Sequence, residues 1–279
     1  MSARFLAESF FDVTLFTGHT VTAEEATSGK EAVRVGSARR QARDHWTPTT
    51  ANSETYVNVA CDRPRYADTL VLDRNHNLAG KTIRLRKSDQ SAFTTYTEVF
   101  AVTVPTNTFY GNKLDASHPV RTEEGAVVIA FNGHVGQYWR LVIDAGGSGY
   151  KPQIVGLWLG KSWTPDINPV RPWDDEAREL VYDEVLSPSL WAASTRKAQR
   201  RNATVTVRLS GEQEYSDARY HIHSLFWRGF AMWYVPDTDM AERAWLAMSP
   251  PGVFGAPYDN AWTDRTVSMA LVEHEPAPN

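Results

Sequence analysis

The segment Gly156-Leu-Trp-Leu-Gly-Lys-Ser162 has the residue types of a phosphate-binding loop, with two glycines ahead of a Lys-Ser pair. Such a loop needs four residues between its glycines, whereas three stand here. It also cradles phosphate with free backbone N–H groups before a helix, and this segment has the pattern of a strand, whose N–H groups are already paired. We therefore predict a strand here and no nucleotide site.

Oxygen-bearing side chains alternate in Asp73-Arg-Asn-His-Asn77, as they do in a calcium-binding loop. The EF-hand pattern fails, because Leu78 stands where the turn glycine belongs and Arg84 where the bidentate glutamate belongs. Asp and Asn also bond nearby backbone amides in turns between strands. We favour such a turn and keep a metal loop as the alternative.

The other reactive residue types form no recognised catalytic set. His221 and His223 would share one face of a strand, but their segment has a helical pattern, which separates them. Cys61 is the only cysteine of the sequence, so neither a disulfide nor a cysteine-based zinc site is expected. Carboxylates are plentiful, and spacing alone does not identify a glycosidase pair. The sequence predicts a non-enzymatic protein without a cofactor, with glycoside hydrolysis as the minor alternative.

Two short basic clusters lie in a chain whose net charge is −4. Each has three or four charges and no interleaved aromatic side chains for base stacking, so we expect solvated or intersubunit faces and no specific nucleic-acid binding. No apolar run reaches the ~20 residues of a membrane span. The clusters are Arg39, Arg40 and Arg43, and Arg196, Lys197, Arg200 and Arg201.

These residues are distributed over two segments of different composition. Residues 1–163 hold 18 Lys/Arg and 16 Asp/Glu, and residues 164–279 hold 11 and 17. Pro165, Pro169 and Pro172 follow the boundary, and proline removes backbone donors and favours extended neighbours. We predict domains at residues 1–163 and 174–279, joined by a Pro-rich linker at residues 164–173.

The first segment consists of short alternating runs separated by turn residues. Residues 56–60 (YVNVA) and 82–86 (TIRLR) are typical runs, and Asn132-Gly133 is a typical separator. Regular short strands with Gly, Asn and Pro between them, and no long helical period, predict a β-sandwich.

The second segment is mixed. Residues 203–209 alternate as a strand, and Ser210 with Gln213 forms a capping-box pattern at the start of a helix. Apolar residues then recur every three or four positions as far as Trp227, and Gly229 is a typical helix stop. We assign residues 176–186 to a strand. The pattern predicts a smaller β-sandwich domain with one packed α-helix at about residues 211–227, in a protein that is mainly β.

Residues 65–85, RYADTLVLDRNHNLAGKTIRL, resemble the early strands of discoidin-like, galactose-binding-like jelly rolls, in which a strand leads through a short Asn-rich loop into a second strand. Residues 138–160 are similar to the paired final strands of that family. The resemblance covers roughly residues 10–163 and implies an N-terminal galactose-binding-like jelly-roll β-sandwich. No sugar-binding motif matches residue by residue, so no binding site is carried over.

The second segment resembles the tail-tube and distal-tail domains of tailed bacteriophages, through the strand ATVTVRLS, the amphipathic helix and a strand that begins Arg-Gly-Phe. The resemblance implies a virion protein of a tail tip or baseplate, a ring subunit whose partners are copies of itself and other tail proteins. The lone cysteine and the lack of a signal-peptide pattern agree with folding in a host cytoplasm before assembly. This is the leading hypothesis.

The alternative hypothesis is a carbohydrate-binding module that attaches to a host-surface glycan. Aromatic rings in loops or at segment ends can stack on pyranose faces, while Asp and Asn side chains bond the hydroxyl groups. The candidate carbohydrate-facing residues are Trp46, Tyr66, Tyr110 and Trp163.

The chain has ten tryptophans, which divide between core and interface roles. Trp139 and Trp158 lie in strand patterns, and we predict that they belong to the core of the first domain. Six others fall within residues 164–279, more than a small domain buries by itself, so we predict that some lie at an interface, either with the first domain or with a neighbouring subunit. The interface candidates are Trp173, Trp191, Trp227 and Trp233, together with Arg196, Lys197, Arg200 and Arg201.

Overall fold

The computed structural model describes residues 3–36, 45–51, 53–111, 113–115, 118–166, 177–186, 192–218, 231–248 and 265–273. The chain divides into two compact units. The first comprises Met1–Thr164, Met232–Trp245 and Pro276–Asn279, and the second comprises Pro165–Ala231 and Leu246–Glu275. The domain and linker boundaries expected from the sequence stay a prediction. No helix in the described ranges is both long and apolar enough to cross a membrane.

The first unit is a β-sandwich organised around two long antiparallel strands. Its strands are β1 (Arg4–Leu6), β2 (Thr20–Ala23), β3 (Thr55–Leu72), β4 (Thr82–Ser88), β5 (Thr97–Thr103), β6 (Val120–Arg121), β7 (Val127–Ile143) and β8 (Leu157–Gly160). One end of the β3–β7 pair lies in a sheet of order β2-β3-β7-β4-β5, while the other end pairs with β8 and β6. Strands β3 and β7 therefore belong to both layers.

The register of β3 against β7 shifts between Ala60 and Arg65, where the pair passes from one layer to the other. Such an irregularity bends a strand and increases its twist, which lets one strand serve two layers. Alternate residues on both sides of this bend point into a single core. Val57 and Val59 come from one layer, Leu70 and Leu72 from the other, and Trp139 is fully buried among them. The predicted mainly β class and N-terminal β-sandwich are confirmed.

The first unit also contains a small aromatic layer. Strand β1 pairs antiparallel with β11 (Met232–Val235), which places Phe5 opposite Tyr234 with ring centroids 5.1 Å apart. Phe5 also bridges to Trp163, whose ring centroid is 5.4 Å away. Tyr234 in turn contacts Trp245 edge-on. These pairs bury four large rings beside strands that are distant in sequence.

In the second unit, β10 (Ala192–Leu209) pairs antiparallel with both β9 (Ala177–Leu186) and β13 (Arg265–Glu273). Strand β12 (Trp245–Met248) pairs with β13 through Ala247 and Met248. The predicted strands at residues 176–186 and 203–209 are confirmed, and the second of them extends further towards the N-terminus.

The described helix α1 spans Glu212–Ala218, whereas the predicted helix reached residue 227. Residues 219–230, including His221 and His223, lie outside the described residues. The start of the helix differs from the predicted capping box, because the Ser210 backbone N–H and hydroxyl both donate to the Glu214 carboxylate in place of Gln213. Glu214 also accepts from the backbone N–H of Asp166, at 2.7 Å.

Candidate functional site

One row of polar side chains crosses all five strands of the β2-β3-β7-β4-β5 sheet. Direct pairing aligns Thr22 with Asn58, Asn58 with Arg140, Arg140 with Arg86, and Arg86 with Glu98. Because successive side chains of a strand point to opposite faces, this row lies on the side away from the core. We call the row, together with Tyr56, Phe93 and Tyr96 that contact it, the outer face.

The guanidinium of Arg140 is held between two aromatic rings. Its Cζ lies 3.9 Å from the ring centroid of Tyr56 and 4.0 Å from that of Phe93. Two rings this close cannot stack on the same side of one guanidinium, so they cover its opposite faces. Arg140 Nε donates to Asn58 Oδ1 at 2.8 Å, which fixes the orientation of the group in its own plane.

Phe93 reaches Arg140 because the β4–β5 loop folds over the outer face. Its backbone has a φ of 52°, in the left-handed region that a bulky residue rarely adopts. Hydrogen bonds hold the loop in this shape: Ser88 Oγ donates to the Thr95 carbonyl at 2.7 Å, and Phe93 N donates to the Gln90 carbonyl at 3.1 Å. The strained backbone therefore serves to place the Phe93 ring.

Tyr96, in the same loop, presents an aromatic ring to solvent. The residue is 51% exposed, and Arg86 Cζ lies 4.6 Å from its ring centroid. Arg86 in turn has a weak contact with Glu98, with 3.8 Å between Nε and Oε2. The guanidinium covers one face of the Tyr96 ring and leaves the other available for stacking.

The three arginines on this side of the sheet differ in their charge balance. Arg84 has a two-point contact with Asp144, with nitrogen–oxygen distances of 2.6 and 2.9 Å, and a further contact with Glu54 at 3.4 Å. Arg140 has no carboxylate partner among the described residues. Burial lowers the pKa of Arg140 and the neighbouring Arg86 adds to that change, whereas Tyr56, Glu24 and Glu54 act against it. The guanidinium nevertheless stays charged at any physiological pH, because the ordinary pKa of arginine is so high.

The residues proposed from the sequence as carbohydrate-facing separate into two groups. Tyr66 is 42% exposed and Tyr110 is 75% exposed. Trp46 and Trp163 are buried, which corrects the expectation for both. Trp46 forms an isolated backbone bridge with Ile154 and its indole N–H donates to the Glu25 carbonyl, while Trp163 forms such a bridge with Phe5. Long-range bridges therefore cover both indoles, although both lie at the ends of sequence segments.

Neither exposed tyrosine lies on the outer face. Tyr66 lies against Gly133, where an added Cβ would be 1.9 Å from the tyrosine hydroxyl. Tyr110 lies beside Phe109, which is 59% exposed, on the connection from β5 to β6. That connection is anchored where Gly111 N donates to Glu242 Oε1 at 3.0 Å and Leu114 N donates to the Thr238 carbonyl.

Of the interface candidates, the structure describes the side chains of two. Trp233 is buried in β11, and Arg201 is buried in β10, where its backbone N–H donates to Glu273. Strand β11 pairs with β1, so Trp233 is buried at a contact with the first segment, one of the two alternatives expected for it. Burial of Arg201 removes that residue from an exposed assembly surface, which corrects the expectation for it. The backbone of residues 196, 197 and 200 lies in β10. Outside the described residues, or without described side chains, are Trp173, Trp191, Trp227, Arg196, Lys197 and Arg200.

The predicted core roles of Trp139 and Trp158 have different outcomes. Trp139 is part of the sandwich core. Trp158 is also buried, but it alternates with the core residues Leu157 and Leu159 in β8 and so faces the opposite side of its sheet.

The Asp73–Asn77 segment uses its side-chain oxygens within the protein. Asp73 Oδ1 accepts from Arg74 N at 2.8 Å, and Asn77 Oδ1 accepts from Gln153 N at 2.7 Å. The Asn77 amide donates to the Lys151 carbonyl. The side chains bond backbone groups, as in the turn that we favoured, although only the Asp73 bond lies within the turn and the Asn77 bonds join it to residues 151 and 153. Among the described residues, no group of three His, Cys, Asp or Glu side chains is arranged to hold a metal ion.

A buried histidine pairs with an aspartate at the bend of β3. His19 Nε2 lies 3.1 Å from Asp62 Oδ1, and Nδ1 lies 3.0 Å from the Phe10 carbonyl. The ring is buried and stacks on Phe16 at 4.6 Å. Both ring nitrogens are engaged, so neither is available to a substrate. The pair ties the N-terminal segment to the sandwich.

Sequence reasoning missed Arg140, Phe93, Tyr96 and their neighbours on the outer face. Alternation with the core residues Trp139 and Leu141 was a signal that Arg140 points away from the core. No sequence signal shows that Asn58 and Arg86 lie beside it, because the register between distant strands is decided in the tertiary fold.

No protein-family model matches the chain, and no curated protein matches it. Among solved structures, chitosan-binding module 1 of a chitosanase/glucanase from Paenibacillus sp. IK-5 is 16% identical, with a TM-score of 0.40, covering 55% of this chain and 99% of its own. The family 32 carbohydrate-binding module of Clostridium perfringens NanJ, in complex with galactose, is 10% identical, with a TM-score of 0.40, covering 58% and 99%. Another module from Clostridium perfringens, in complex with GalNAc-β-1,3-galactose, is 9% identical, with a TM-score of 0.40, covering 52% and 96%. Similarity at this level leaves the function to be argued from the chain's own residues.

Proposed function

We propose that the protein binds carbohydrate, without acting on it, through the outer face of its β-sandwich. The observation that carries this proposal is the Tyr96 ring, backed on one side by Arg86 and half exposed on the other, at one end of a row of hydrogen-bonding groups. A pyranose has an apolar C–H face and a rim of hydroxyl groups. An aromatic platform beside planar amide, guanidinium and carboxylate groups complements both parts.

The outer face is suited to binding because its groups are already fixed. Asn58, Arg140 and Arg86 stand on three adjacent strands, and rings or hydrogen bonds restrict the side chains of the two arginines. Groups that are ordered before binding lose little conformational entropy when a ligand arrives. A shallow site with one free ring is expected to bind weakly, with a dissociation constant on the order of 0.1–1 mM.

A glycan array followed by calorimetry on the hits tests this proposal. Loss of one stacking contact weakens binding by about 1 kcal/mol, so Tyr96→Ala is expected to lower affinity about fivefold. Tyr110→Ala is the matched control, because it removes another exposed tyrosine from a loop at the opposite end of β5. A protein that binds no glycan, or that loses binding equally in both variants, would contradict the proposal.

A second candidate function is the structural role in a phage tail tip or baseplate that the sequence suggested. The observation that favours an assembly role is the exposed Phe109–Tyr110 pair on an anchored loop, since aromatic side chains are enriched at the centres of protein interfaces. Location in the virion, ring formation and contacts with other tail proteins are part of this second proposal.

Native mass spectrometry tests the assembly role directly. A ring subunit is expected to form closed oligomers that Phe109→Ser together with Tyr110→Ser disrupts, while Tyr96→Ser leaves them intact. A strictly monomeric protein at high concentration would remove the support for this second candidate. The two functions are compatible, because they use different surfaces.

A further inference from the structure

Arg140 is the outer-face arginine whose terminal nitrogens, Nη1 and Nη2, form no hydrogen bond among the described residues. Its Nε is used by Asn58 Oδ1 at 2.8 Å, but Nη1 and Nη2 have no hydrogen-bond acceptor among the described residues. Neither nitrogen is a fully buried atom without a hydrogen bond, so both are accessible to solvent. Arg84 and Arg86, by contrast, each have a carboxylate beside them.

The two rings decide which part of Arg140 a ligand can reach. Tyr56 and Phe93 cover the two faces of the guanidinium, at 3.9 and 4.0 Å from Cζ, and Asn58 occupies the Nε side. What remains is the edge that carries Nη1 and Nη2. Two parallel N–H groups on such an edge match the two oxygens of a carboxylate or the oxygens of a sulfate.

The contacts of Arg140, more than the charge around it, favour an anion at this edge. Arg86 stands directly beside Arg140 on β4, and its only nearby carboxylate, that of Glu98, is 3.8 Å away among the described residues. The carboxylates of Glu24 and Glu54 also act electrostatically on Arg140, but neither is hydrogen-bonded to it. Burial between rings also reduces the hydration of the guanidinium, which strengthens a charge-assisted hydrogen bond there.

We propose that the outer face selects acidic saccharides, with the Arg140 edge binding the carboxylate or sulfate of a sugar whose ring stacks on Tyr96. Side chains directly opposite each other on neighbouring strands have Cβ atoms about 5 Å apart, so Arg140 and the Arg86 side chain that backs the Tyr96 ring are immediate neighbours on the sheet. This inference rests on the proposed carbohydrate-binding function and names its ligand class.

The test compares three ligands of equal length: an oligogalacturonate, the same oligosaccharide with its carboxyl groups reduced to alcohols, and a sulfated neutral oligosaccharide. Calorimetry on the wild-type chain is expected to give at least about tenfold tighter binding of an acidic ligand than of the reduced one. The carboxylate and sulfate arms show which of the two anions is preferred. Equal affinity for charged and reduced ligands would overturn the inference and leave carbohydrate binding standing, whereas no binding at all would overturn both.

Variants of Arg140 distinguish the two-point hydrogen bonding of the guanidinium edge from the effect of its positive charge. Arg140→Gln is expected to abolish the preference for acidic ligands while retaining binding of the reduced one through Tyr96. Arg140→Lys keeps the charge but loses the two-pronged edge, so its preference should be intermediate. Arg34→Gln removes the same charge from an exposed Arg34–Glu31 pair on a 3₁₀ turn and should change nothing. An acidic preference that survives in Arg140→Gln would refute the assignment.

Circular dichroism and thermal melting show whether each variant is folded. If Arg140→Gln does not fold, the wild-type chain still provides a test through salt. Raising the ionic strength is expected to weaken binding of the acidic ligand and to leave the reduced ligand unaffected. A preference that does not respond to salt would refute an electrostatic contact at Arg140.

Discussion

Phe93 offers the most specific test of how the outer face is built. Its φ of 52° is strained for any residue with a Cβ, while its ring is buried against Arg140. Truncation to alanine removes the ring and keeps the strain. Truncation to glycine removes both, because glycine adopts positive φ without a steric penalty.

The magnitudes follow from these two contributions. Phe93 is 7% exposed, so Phe93→Ala loses nearly all of the ring burial and the contact with Arg140, about 3–4 kcal/mol of unfolding free energy. Phe93→Gly recovers about 1 kcal/mol of left-handed strain, so it should be less damaging, with a loss of about 2–3 kcal/mol. At an ordinary position glycine is the worse of the two by about 0.5–1 kcal/mol, so the expected order is reversed.

Urea denaturation of the two variants and the wild-type chain, followed by tryptophan fluorescence, measures these differences. Asn75 has the other positive φ among the non-glycine residues described, 68°, and Asn75→Ala against Asn75→Gly is the matched control for backbone strain without a buried ring. If Phe93→Ala is as stable as Phe93→Gly or more stable, the backbone at residue 93 is not strained in solution and the account of the loop is wrong.

Three further predictions concern the core and the titratable groups. Trp139→Ala should cost about 3–5 kcal/mol in denaturant unfolding, because the indole is fully buried, whereas Tyr96→Ala should change stability by less than about 1 kcal/mol; similar losses would contradict the assigned core. Burial, with Arg121 nearby, lowers the pKa of His76 to about 4, so the fold favours neutral His76. That contribution is complete above the unfolded pKa of about 6.5 and is lost as the pH falls towards 4, so His76→Gln should flatten the stability profile over this range, and an unchanged profile would refute it. Burial raises the pKa of the Cys61 thiol to about 12, so a thiol reagent at pH 8 should react only after denaturation, and rapid reaction of the folded chain would show that the thiol is not enclosed.

The positions of strands could be predicted from the sequence, because the alternation of apolar and polar residues is a local property. Residues 56–60 and 82–86 alternate between core and surface in the structure as they do in the sequence, and both lie in the predicted β-sandwich. The segment at residues 156–162, read as a strand in spite of its glycines and Lys-Ser pair, contains β8. In the Asp73–Asn77 turn, the hydrogen bond from Arg74 N to Asp73 is equally local, whereas the one from Gln153 N to Asn77 is a tertiary contact.

The exposure of aromatic side chains could not be predicted from the sequence, as Trp46 and Trp163 demonstrate. Both indoles lie near prolines at the ends of segments, a local context that indicates a loop. Each is covered by a bridge to a residue more than 100 positions away, Ile154 for Trp46 and Phe5 for Trp163. Burial depends on which distant strand lies over a side chain, and alternation within one strand carries no information about that.

By itself, the sequence determined the mainly β class, the position of most strands and the side of each strand that faces the core, because these follow from the two-residue period of a strand and from the turn residues between strands. Only the tertiary structure brought Asn58, Arg140 and Arg86 into one row and placed Phe93 over the guanidinium. The physical reason is that strand order and register are selected by burying one shared core. The outer face is arranged by that choice, although none of its side chains belongs to the core.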